Sequence, residues 1–376
     1  MDTTFWSFVY IAAAVQAGLL GMALWRRPVN RPANRLLAAW VLLSGIDLAV
    51  KAVYWQLFSP EWFRAYRFVA LFPYLYGSLF FLYVRALVGG IGFRGRDVVH
   101  LLGFVAMFAL NARVLMADQA ALQALSLRWQ AGERSIGLWF DLPLFVYSLS
   151  YVLAALLEVR RYRRRLRQRR SDADRLSLRW IGVMAACQIV IWAIAVVQEA
   201  VYMPVINYGL LFGAVAAWIC VLGWLSLNQT AVASAPAADD ETAERADTPT
   251  PDAAVDDARY PAVEARLAQL MSGTAALYRE PALTIGQVAR RSGYPEYLVS
   301  AVINRRLGGS FWDYINRLRI EEVRARLADA GDTRTILEIA YDCGFTSKST
   351  FNAAFKRQVG DTPSSYRRAA AGVASA

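Results

Sequence analysis

Polar side chains cluster at the beginning of two short helices that the sequence predicts near its C-terminal end. Asparagine can form two hydrogen bonds with the edge of adenine, lysine can donate to guanine, and serine or threonine can bond a base or a phosphate. On the outward face of a helix, such side chains favour contacts with base edges. The candidates are Tyr297, Ser300 and Asn304 in the first helix, and Ser347, Lys348, Ser349, Thr350 and Asn352 in the second.

Basic side chains surround both helices and could neutralise phosphates, which supply most of the attraction between proteins and DNA. A solvated helix face explains each of these charges equally well when it is taken singly. No metal-ligand spacing and no nucleophile–base pattern accompanies them, so we expect no cofactor, no metal and no catalytic site. The candidates for phosphate contacts are Arg290, Arg291, Arg305, Arg306, Lys356, Arg357, Arg367 and Arg368.

Capping and turn residues divide this part of the chain into helices. Thr284 can cap a helix, Gly293 can end it by adopting a positive φ, and Pro295 suits the start of the next helix. Two short helices joined by a tight turn form a helix-turn-helix unit. The expected helices are IGQVARRSG and PEYLVSAVINRRLG.

The same arrangement recurs further along the chain. Thr335 and Glu338 form a capping pair, Gly344 lies at the turn, and Ser347 can cap the following helix. Between the two units, Ser310 and Asp313 form another capping pair, and the apolar spacing of SFWDYINRLRIEEVRARLAD predicts one long helix.

The second unit carries a long pattern, IAYDCGFTSKSTFNAAFKRQVGDTPSSYR, which follows I-A-x-x-x-G-F, a polar cap, F-x-x-x-F-K and G-x-T-P-x-x-Y-R. On these residues, the segment from about Leu283 to Arg368 resembles the DNA-binding domain of the AraC/XylS family of bacterial transcription regulators. The resemblance implies two helix-turn-helix units bridged by a long helix, each placing its second helix in the major groove of double-stranded DNA. Ser300 and Ala301 are shorter than the side chains of many members, which implies less base readout by the first unit.

The stretch INRRLGGSFWDYINRLRIEEVRARL resembles the family members in which this domain is fused to a membrane domain of several spans. Long apolar runs fill residues 1–230, and each can reach the ~20 residues that a helix needs to cross a bilayer. We therefore expect an all-α chain with a seven-helix transmembrane bundle before the DNA-binding domain. The spans are expected near Phe5–Trp25, Leu36–Leu57, Phe68–Val88, Val98–Met116, Leu138–Leu157, Trp180–Tyr202 and Val205–Leu227.

Arginine placement predicts the orientation of these spans. The segments after the first, third and fifth spans are rich in arginine, and the last of them holds eight arginines between Arg160 and Arg170. Positive loops lie on the cytoplasmic side, so the N-terminus is expected outside and the C-terminus inside. We interpret the Arg160–Arg170 run as a topology signal on anionic lipid, with a nucleic-acid tract as the alternative.

A few polar residues lie within the predicted spans, where charge is costly and therefore indicates function. Asp47 and Lys51 stand one helical turn apart and can pair. The set could form a pocket that senses a small molecule or an envelope signal, or it could serve hydrogen bonding between helices. The sensor candidates are Asp47, Lys51, Asn111, Gln188 and Glu199.

Residues 231–259 read AVASAPAADDETAERADTPTPDAAVDDAR, an acidic segment with almost no large apolar side chain. Such a composition predicts disorder. We expect it to be a flexible linker before a DNA-binding domain at residues 260–376.

These features together predict a regulator in the bacterial inner membrane, with lipid, double-stranded DNA and a second copy of the chain as partners. The DNA-binding domain would lie in the cytoplasm, and the membrane domain would be an anchor and a candidate signal sensor. The alternative is a membrane receptor or transporter-like protein whose helix-turn-helix domain binds a protein partner.

Overall fold

A computed structural model of the chain describes residues 3–57, 59–130, 138–173, 178–200, 206–227, 253–273, 275–329 and 331–374. Within these ranges the chain is helical and has no β-strand, apart from an isolated antiparallel bridge between Arg170 and Thr284. The expectation of an all-α chain is therefore confirmed. The chain forms two compact units, one of Met1–Val159 with Leu178–Ala235 and one of Arg160–Ser177 with Pro236–Ala376.

Apolar helices make up the first unit. In chain order the helices are α1 (Thr3–Arg26), α2 (Arg31–Leu57), α3 (Pro60–Val69), α4 (Pro73–Gly89), a 3₁₀-helix (Gly95–Leu101), α5 (Leu102–Leu115), α6 (Gln119–Gln130), α7 (Leu138–Arg169), α8 (Arg179–Ala200), a π-helix (Ile206–Phe212) and α9 (Gly213–Leu227). The last turns of α7, from Arg160 onward, belong to the second unit.

Six helical stretches in the described part of the chain are long and apolar enough to cross a membrane, and they match the first six predicted spans. The seventh predicted span, Val205–Leu227, contains only a shorter apolar helix, Gly209–Leu225. Seven spans therefore remain a prediction. The six stretches are Thr4–Arg26, Arg31–Leu57, Pro60–Gly89, Gly95–Leu115, Leu142–Arg169 and Trp180–Gln198.

The third predicted span differs from the structure at its beginning. We expected a helix from Phe68, but Phe68 lies near the end of α3, and α4 begins at Pro73. Proline lacks a backbone N–H and fixes its own φ, so it suits the first turn of a helix and disfavours continuation of a helix that precedes it. The break separates α3 from α4 at residues 70–72.

The second unit begins with the end of α7 and continues in the C-terminal part of the chain. Its further helices are α10 (Ala253–Leu270), a 3₁₀ turn (Leu277–Arg279), α11 (Ile285–Ser292), α12 (Glu296–Arg305), α13 (Phe311–Ala328), α14 (Ile336–Asp342), α15 (Lys348–Val359) and α16 (Pro363–Ala374).

The expected linker overlaps the first of these helices. Residues 231–252 of the linker lie outside the described residues, whereas α10 begins at Ala253 and runs through residues that we expected to be disordered. Tyr260 is buried in the core of the second unit. Packing of this side chain supports the helix, and the alanines before it have a high helix propensity.

The predicted caps are confirmed. Thr284, Ser310 and Thr335 each form a capping box with the side chain three residues later, and the hydroxyl of Ser347 accepts from the N–H of Thr350. Each cap satisfies backbone donors that the first turn of a helix leaves unpaired. The sequence thereby determines where these four helices begin.

Helix α13 takes part in both apolar cores of the second unit. Its first half packs with α10, α11 and α12, and its second half packs with α14 and α15. In each cluster, the apolar side chains recur at helical spacing. The two helices of each helix-turn-helix unit therefore bury their apolar faces against α13 as well as against each other. From α13, Phe311, Tyr314 and Ile315 lie in the first cluster, and Ile320, Val323 and Leu327 lie in the second.

Arg319 on α13 is 1% exposed and bonds to the segment before α11. Its Nε donates to the carbonyl of Tyr278 at 2.7 Å, and its Nη2 donates to the carbonyl of Glu280 at 2.9 Å. Burial lowers the pKa of Arg319 to about 10, so the guanidinium stays charged at neutral pH. The side chain therefore holds the 278–280 backbone against α13.

The turn of the second helix-turn-helix unit lies against the same backbone. Gly344 has a φ of +91°, and a Cβ there would stand 2.6 Å from the carbonyl oxygen of Arg279. A side chain at this position would meet both an unfavourable φ and main-chain atoms. Glycine is thus required by packing as well as by conformation.

Replacing Arg319 with alanine should destabilise the second unit by about 2–5 kcal/mol, because two buried carbonyls lose their donor. Hydrogen exchange of peptides from α13 in the full chain measures this loss. Arg324→Ala, an exposed change on the same helix, is the control. Equal protection in the two variants would contradict the role given to Arg319.

Gly344→Ala should destabilise the α14–α15 turn by clearly more than Gly360→Ala. Gly360 also has a positive φ, of +83°, but a Cβ there would meet no atom within 4 Å. The control Gly360→Ala therefore loses only the free energy that the left-handed conformation costs a residue with a Cβ, about 1–2 kcal/mol. Hydrogen exchange across residues 336–360 compares the two, and equal effects would show that the close approach to Arg279 is unimportant.

Candidate nucleic-acid interface

The first helix-turn-helix unit consists of α11 and α12, with Gly293 between them at a φ of +79°. The side chain of Tyr297 on α12 is 40% exposed, Asn304 is exposed and Ser300 is half-buried. The amide nitrogen of Asn304 donates to the Ser300 hydroxyl at 3.3 Å. These three residues share one face of α12, and the opposite face is buried by Leu298, Val299, Val302 and Ile303.

The second unit consists of α14 and α15, joined through Gly344. Lys348, Ser349 and Asn352 are exposed at the beginning of α15. They offer an ammonium, a hydroxyl and an amide within the first turns of the helix, where a helix in the major groove meets base edges. The structure thus brings three of the five predicted residues to one outward surface.

Thr350 does not lie on that surface. It is 4% exposed, and its hydroxyl accepts from the hydroxyl of Ser347 at 2.8 Å. Thr350 lies one turn before Ala354, which is fully buried, so the two share the inward face of α15. Ser347 is half-buried and serves as the N-cap. These two hydroxyls shape the start of the helix.

Most of the predicted phosphate-binding arginines already have partners inside the second unit. Arg291 pairs with Glu280, Arg306 pairs with Glu264 at 2.8 Å, and Arg305 donates to the hydroxyl of Tyr260 at 3.1 Å. All three arginines remain exposed. Such exposed pairs are weak, so they leave the charge available to a phosphate.

The remaining basic residues, on α11, α15 and α16, divide into two groups. Arg367 donates to the carbonyls of Arg334 and Asp332 at 2.7 and 2.6 Å, which ties α16 to the loop before α14. Arg357 lies over the Trp312 ring at 4.2 Å from its centroid, and Arg368 donates to the carbonyl of Ser364 at 3.4 Å. By contrast, the described contacts include no ion pair for Arg290 or Lys356, and both side chains are exposed.

A basic surface of the second unit was not predicted as part of the interface. Arg160, Arg163, Arg164 and Arg167 follow the helical spacing i, i+3, i+4 and i+7, and we call them the α7 arginine face. They line a cleft of about 480 Å³ together with Asn304 and other residues. The spacing was visible in the sequence, but the proximity to α12 depends on tertiary packing.

Two of the predicted sensor residues form a buried pair in the first unit. The Lys51 ammonium lies 2.8 Å from the Asp47 carboxylate, and both side chains are nearly inaccessible. The Tyr76 hydroxyl lies 3.4 Å from the same carboxylate, and the Lys51 nitrogen lies 4.0 Å from the Phe212 ring centroid. The second carboxylate oxygen of Asp47 is buried without a hydrogen-bond partner among the described residues.

The other sensor candidates have different surroundings. Asn111 is buried, donates to the carbonyl of Met107 at 2.8 Å and accepts from Arg67 at 3.2 Å. Gln188 is 5% exposed, and its side-chain oxygen has no partner within the described ranges. The side chain of Glu199 lies outside the described residues. Across the described part of the chain, no three His, Cys, Asp or Glu side chains are placed to hold a metal ion.

Comparisons with known proteins find similarity in the second unit. The profile of a family described as "Helix-turn-helix domain" matches residues 288–369. No solved structure matches the chain.

Relatives share this C-terminal region. Regulatory protein SoxS of Escherichia coli is 36% identical over 87 residues, which cover 23% of this chain and 78% of SoxS. The melibiose operon regulatory protein of Escherichia coli is 35% identical over 98 residues, or 26% of this chain and 32% of that protein. The probable transcription factor PqrA of Proteus vulgaris is 29% identical over 91 residues, or 24% of this chain and 73% of PqrA.

The family match begins within α11 and ends in α16, so it covers most of the first helix-turn-helix unit and all of the second, and the relatives are regulators rather than enzymes. The match to SoxS covers most of that protein at a substantial identity. The chain is therefore not an enzyme, and it belongs to the AraC family of DNA-binding transcription regulators.

Proposed function

We propose that the chain is a membrane-bound transcription regulator of the bacterial inner membrane. The observation that supports this is the presence, in one chain, of six helices long and apolar enough to cross a bilayer and of an AraC-type domain. A soluble regulator has no need of such helices, and a transporter has no need of two helix-turn-helix units. The membrane domain then anchors the regulator, and it is the candidate sensor of a small molecule or an envelope signal.

In this proposal, α12 and α15 are the two recognition helices, and α13 bridges their units. Tyr297, Ser300 and Asn304 contact base edges from α12, and Lys348, Ser349 and Asn352 do so from α15. The apolar contacts of α13 with both units support a fixed spacing between the recognition helices. A fixed spacing suits two successive major-groove segments on one face of the duplex.

The chain is proposed to cross the membrane seven times, with its N-terminus outside and its DNA-binding domain in the cytoplasm. The support is the arginine content of alternate connecting segments. The short apolar helix Gly209–Leu225 is then the seventh span.

The Asp47–Lys51 pair is the proposed centre of signal sensing. A charged pair in an apolar helix is costly to bury, and one oxygen of Asp47 has no hydrogen-bond donor among the described residues. A ligand that supplied the missing donor would bind there. A signal could then change self-association of the membrane domain, and a homodimer would present two DNA-binding domains to adjacent sites.

Lys348→Ala combined with Asn352→Ala should weaken specific DNA binding by the full chain by about 1–3 kcal/mol for each lost base contact. Genome-wide mapping of bound fragments supplies the target, and fluorescence anisotropy with the chain in nanodiscs measures the affinity. Gln358→Ala, an exposed change near the end of α15, is the control and should leave binding unchanged.

The salt dependence separates this proposal from a helix-turn-helix domain that binds a protein. The logarithm of the affinity for a bound fragment should fall with the logarithm of the salt concentration, with a slope of several units. If the wild-type chain binds no genomic fragment, the protein-partner alternative is favoured.

Fusions of alkaline phosphatase test the proposed orientation, since this reporter is active only outside the cytoplasm. Activity is expected for fusions after Pro60 and Gln130 and not for fusions after Arg94 and Arg170. A fusion after Leu227 should be inactive if the seventh span crosses. Activity there would contradict seven spans, and the reverse pattern at the other sites would contradict the orientation.

A further inference from the structure

The end of α7 and the residues after it are built into the DNA-binding unit. Arg170 and Thr284 form an antiparallel bridge, and the N–H of Ser171 donates to the carbonyl of Leu283 at 3.0 Å. These main-chain contacts join residues that lie more than a hundred positions apart in the sequence. The segment therefore pairs with the backbone immediately before α11.

Two buried polar side chains of α13 hold the same segment. The Asn316 amide donates to the carbonyl of Ser171 at 3.4 Å, and Arg319 donates to the Ser171 hydroxyl at 3.3 Å. Ser171 and Asn316 are fully buried, and Asp172 is 5% exposed while accepting from Arg170 at 2.8 Å. Buried polar groups need such partners, so the contact is a specific one.

This contact positions the α7 arginine face. Arg167 lies over the Trp312 ring, with its guanidinium carbon 5.1 Å from the ring centroid. The four arginines line the cleft, and Asp313 is the one acidic side chain among its lining residues. The Asp313 carboxylate already accepts from the N–H and hydroxyl of Ser310 as part of a helix cap. The cleft is therefore strongly positive and suits an occupant with several negative charges.

The position of Asn304 indicates which polyanion this is. Asn304 lines the cleft, and it is also the last residue of the outward stripe that begins at Tyr297 on α12. A duplex read by that stripe places its phosphate backbone beside the end of the helix, because the backbone borders the major groove. The α7 arginine face lines the same cleft as Asn304, so it would lie next to that border.

We propose that the α7 arginine face binds the phosphate backbone of the DNA that α12 contacts. This inference rests on the proposed function of the second unit. The helix α7 is continuous from Leu138 to Arg169 and passes from the first unit into the second at Arg160. DNA binding thus uses side chains from a helix of the membrane-spanning part of the chain.

Two matched variants test the proposal. Arg160→Gln with Arg164→Gln removes two exposed charges from the face, and Arg161→Gln with Arg165→Gln removes two exposed charges that do not line the cleft. Both pairs lie one turn apart in the same helix, so any effect on topology is shared. Each full-length variant is measured by anisotropy in nanodiscs of phosphatidylcholine alone, on a fragment that the wild type binds.

The first variant should lose affinity for matched and mismatched sequences alike, and its salt slope should fall by about 2, since each phosphate contact contributes about 0.9. The second variant should keep nearly the wild-type slope. Equal slopes in the two variants would overturn the proposal, as would tighter binding by the first variant. If the wild type binds no DNA, the proposed function itself fails.

A disulfide provides a second measurement. Cα atoms of an antiparallel bridged pair lie about 4.5–5.5 Å apart, which a disulfide can span, so Arg170→Cys with Thr284→Cys should cross-link in the full chain. The oxidised and reduced forms of this one variant should bind DNA equally, because the contact persists on DNA. Loss of binding on oxidation, restored by reduction, would show that the segment must leave before DNA binds.

Discussion

The buried guanidinium of Arg319 is the interaction on which much of the second unit depends. It lies on the long helix α13, donates to two carbonyls between Tyr278 and Glu280, and reaches Ser171. A charge without water is stable only when its donors are used, and three acceptors use them here. These bonds fix the position of the main chain around residues 278–284, which other parts of the second unit contact.

On one side of this segment, Gly344 approaches the carbonyl of Arg279, so the turn of the second helix-turn-helix unit lies on a backbone that Arg319 holds. On the other side, Thr284 caps α11 and bridges to Arg170. Both helix-turn-helix units and the end of α7 therefore meet at one short piece of main chain. A disturbance of this piece would reach both α12 and α15, since α13 packs with each of them.

Under the proposed function, these contacts add to the ways in which the proposed membrane domain would influence DNA binding. A flexible linker can only raise the local concentration of the domain that it carries. A helix whose last turns pair with that domain can also alter the surface that meets DNA. The buried Asp47–Lys51 pair is the candidate site for the signal. It places charged groups in an apolar helix, and one oxygen of Asp47 has no hydrogen-bond partner among the described residues. The proposed function connects this pair to DNA binding through self-association of the chain.

The sequence alone determined the local features of this protein. Caps at Thr284, Ser310, Thr335 and Ser347 are determined by bonds within one helical turn, and the apolar periods of α11 to α15 determine which faces are buried. The signature from Ile339 onward identified the family. Six of the expected apolar helices were recognisable, because length and composition suffice to predict such a helix.

Tertiary structure alone decided the features that join distant parts of the chain. The inward position of Thr350 depends on the core behind α15. The largest change concerns Arg160–Arg170, which we interpreted as a topology signal and which the structure places with the DNA-binding unit. Local periodicity shows that four of its arginines share a face, but the hydrogen bonds of Ser171 with Leu283, Asn316 and Arg319 decide where that face lies. No pattern within the arginine run encodes these bonds.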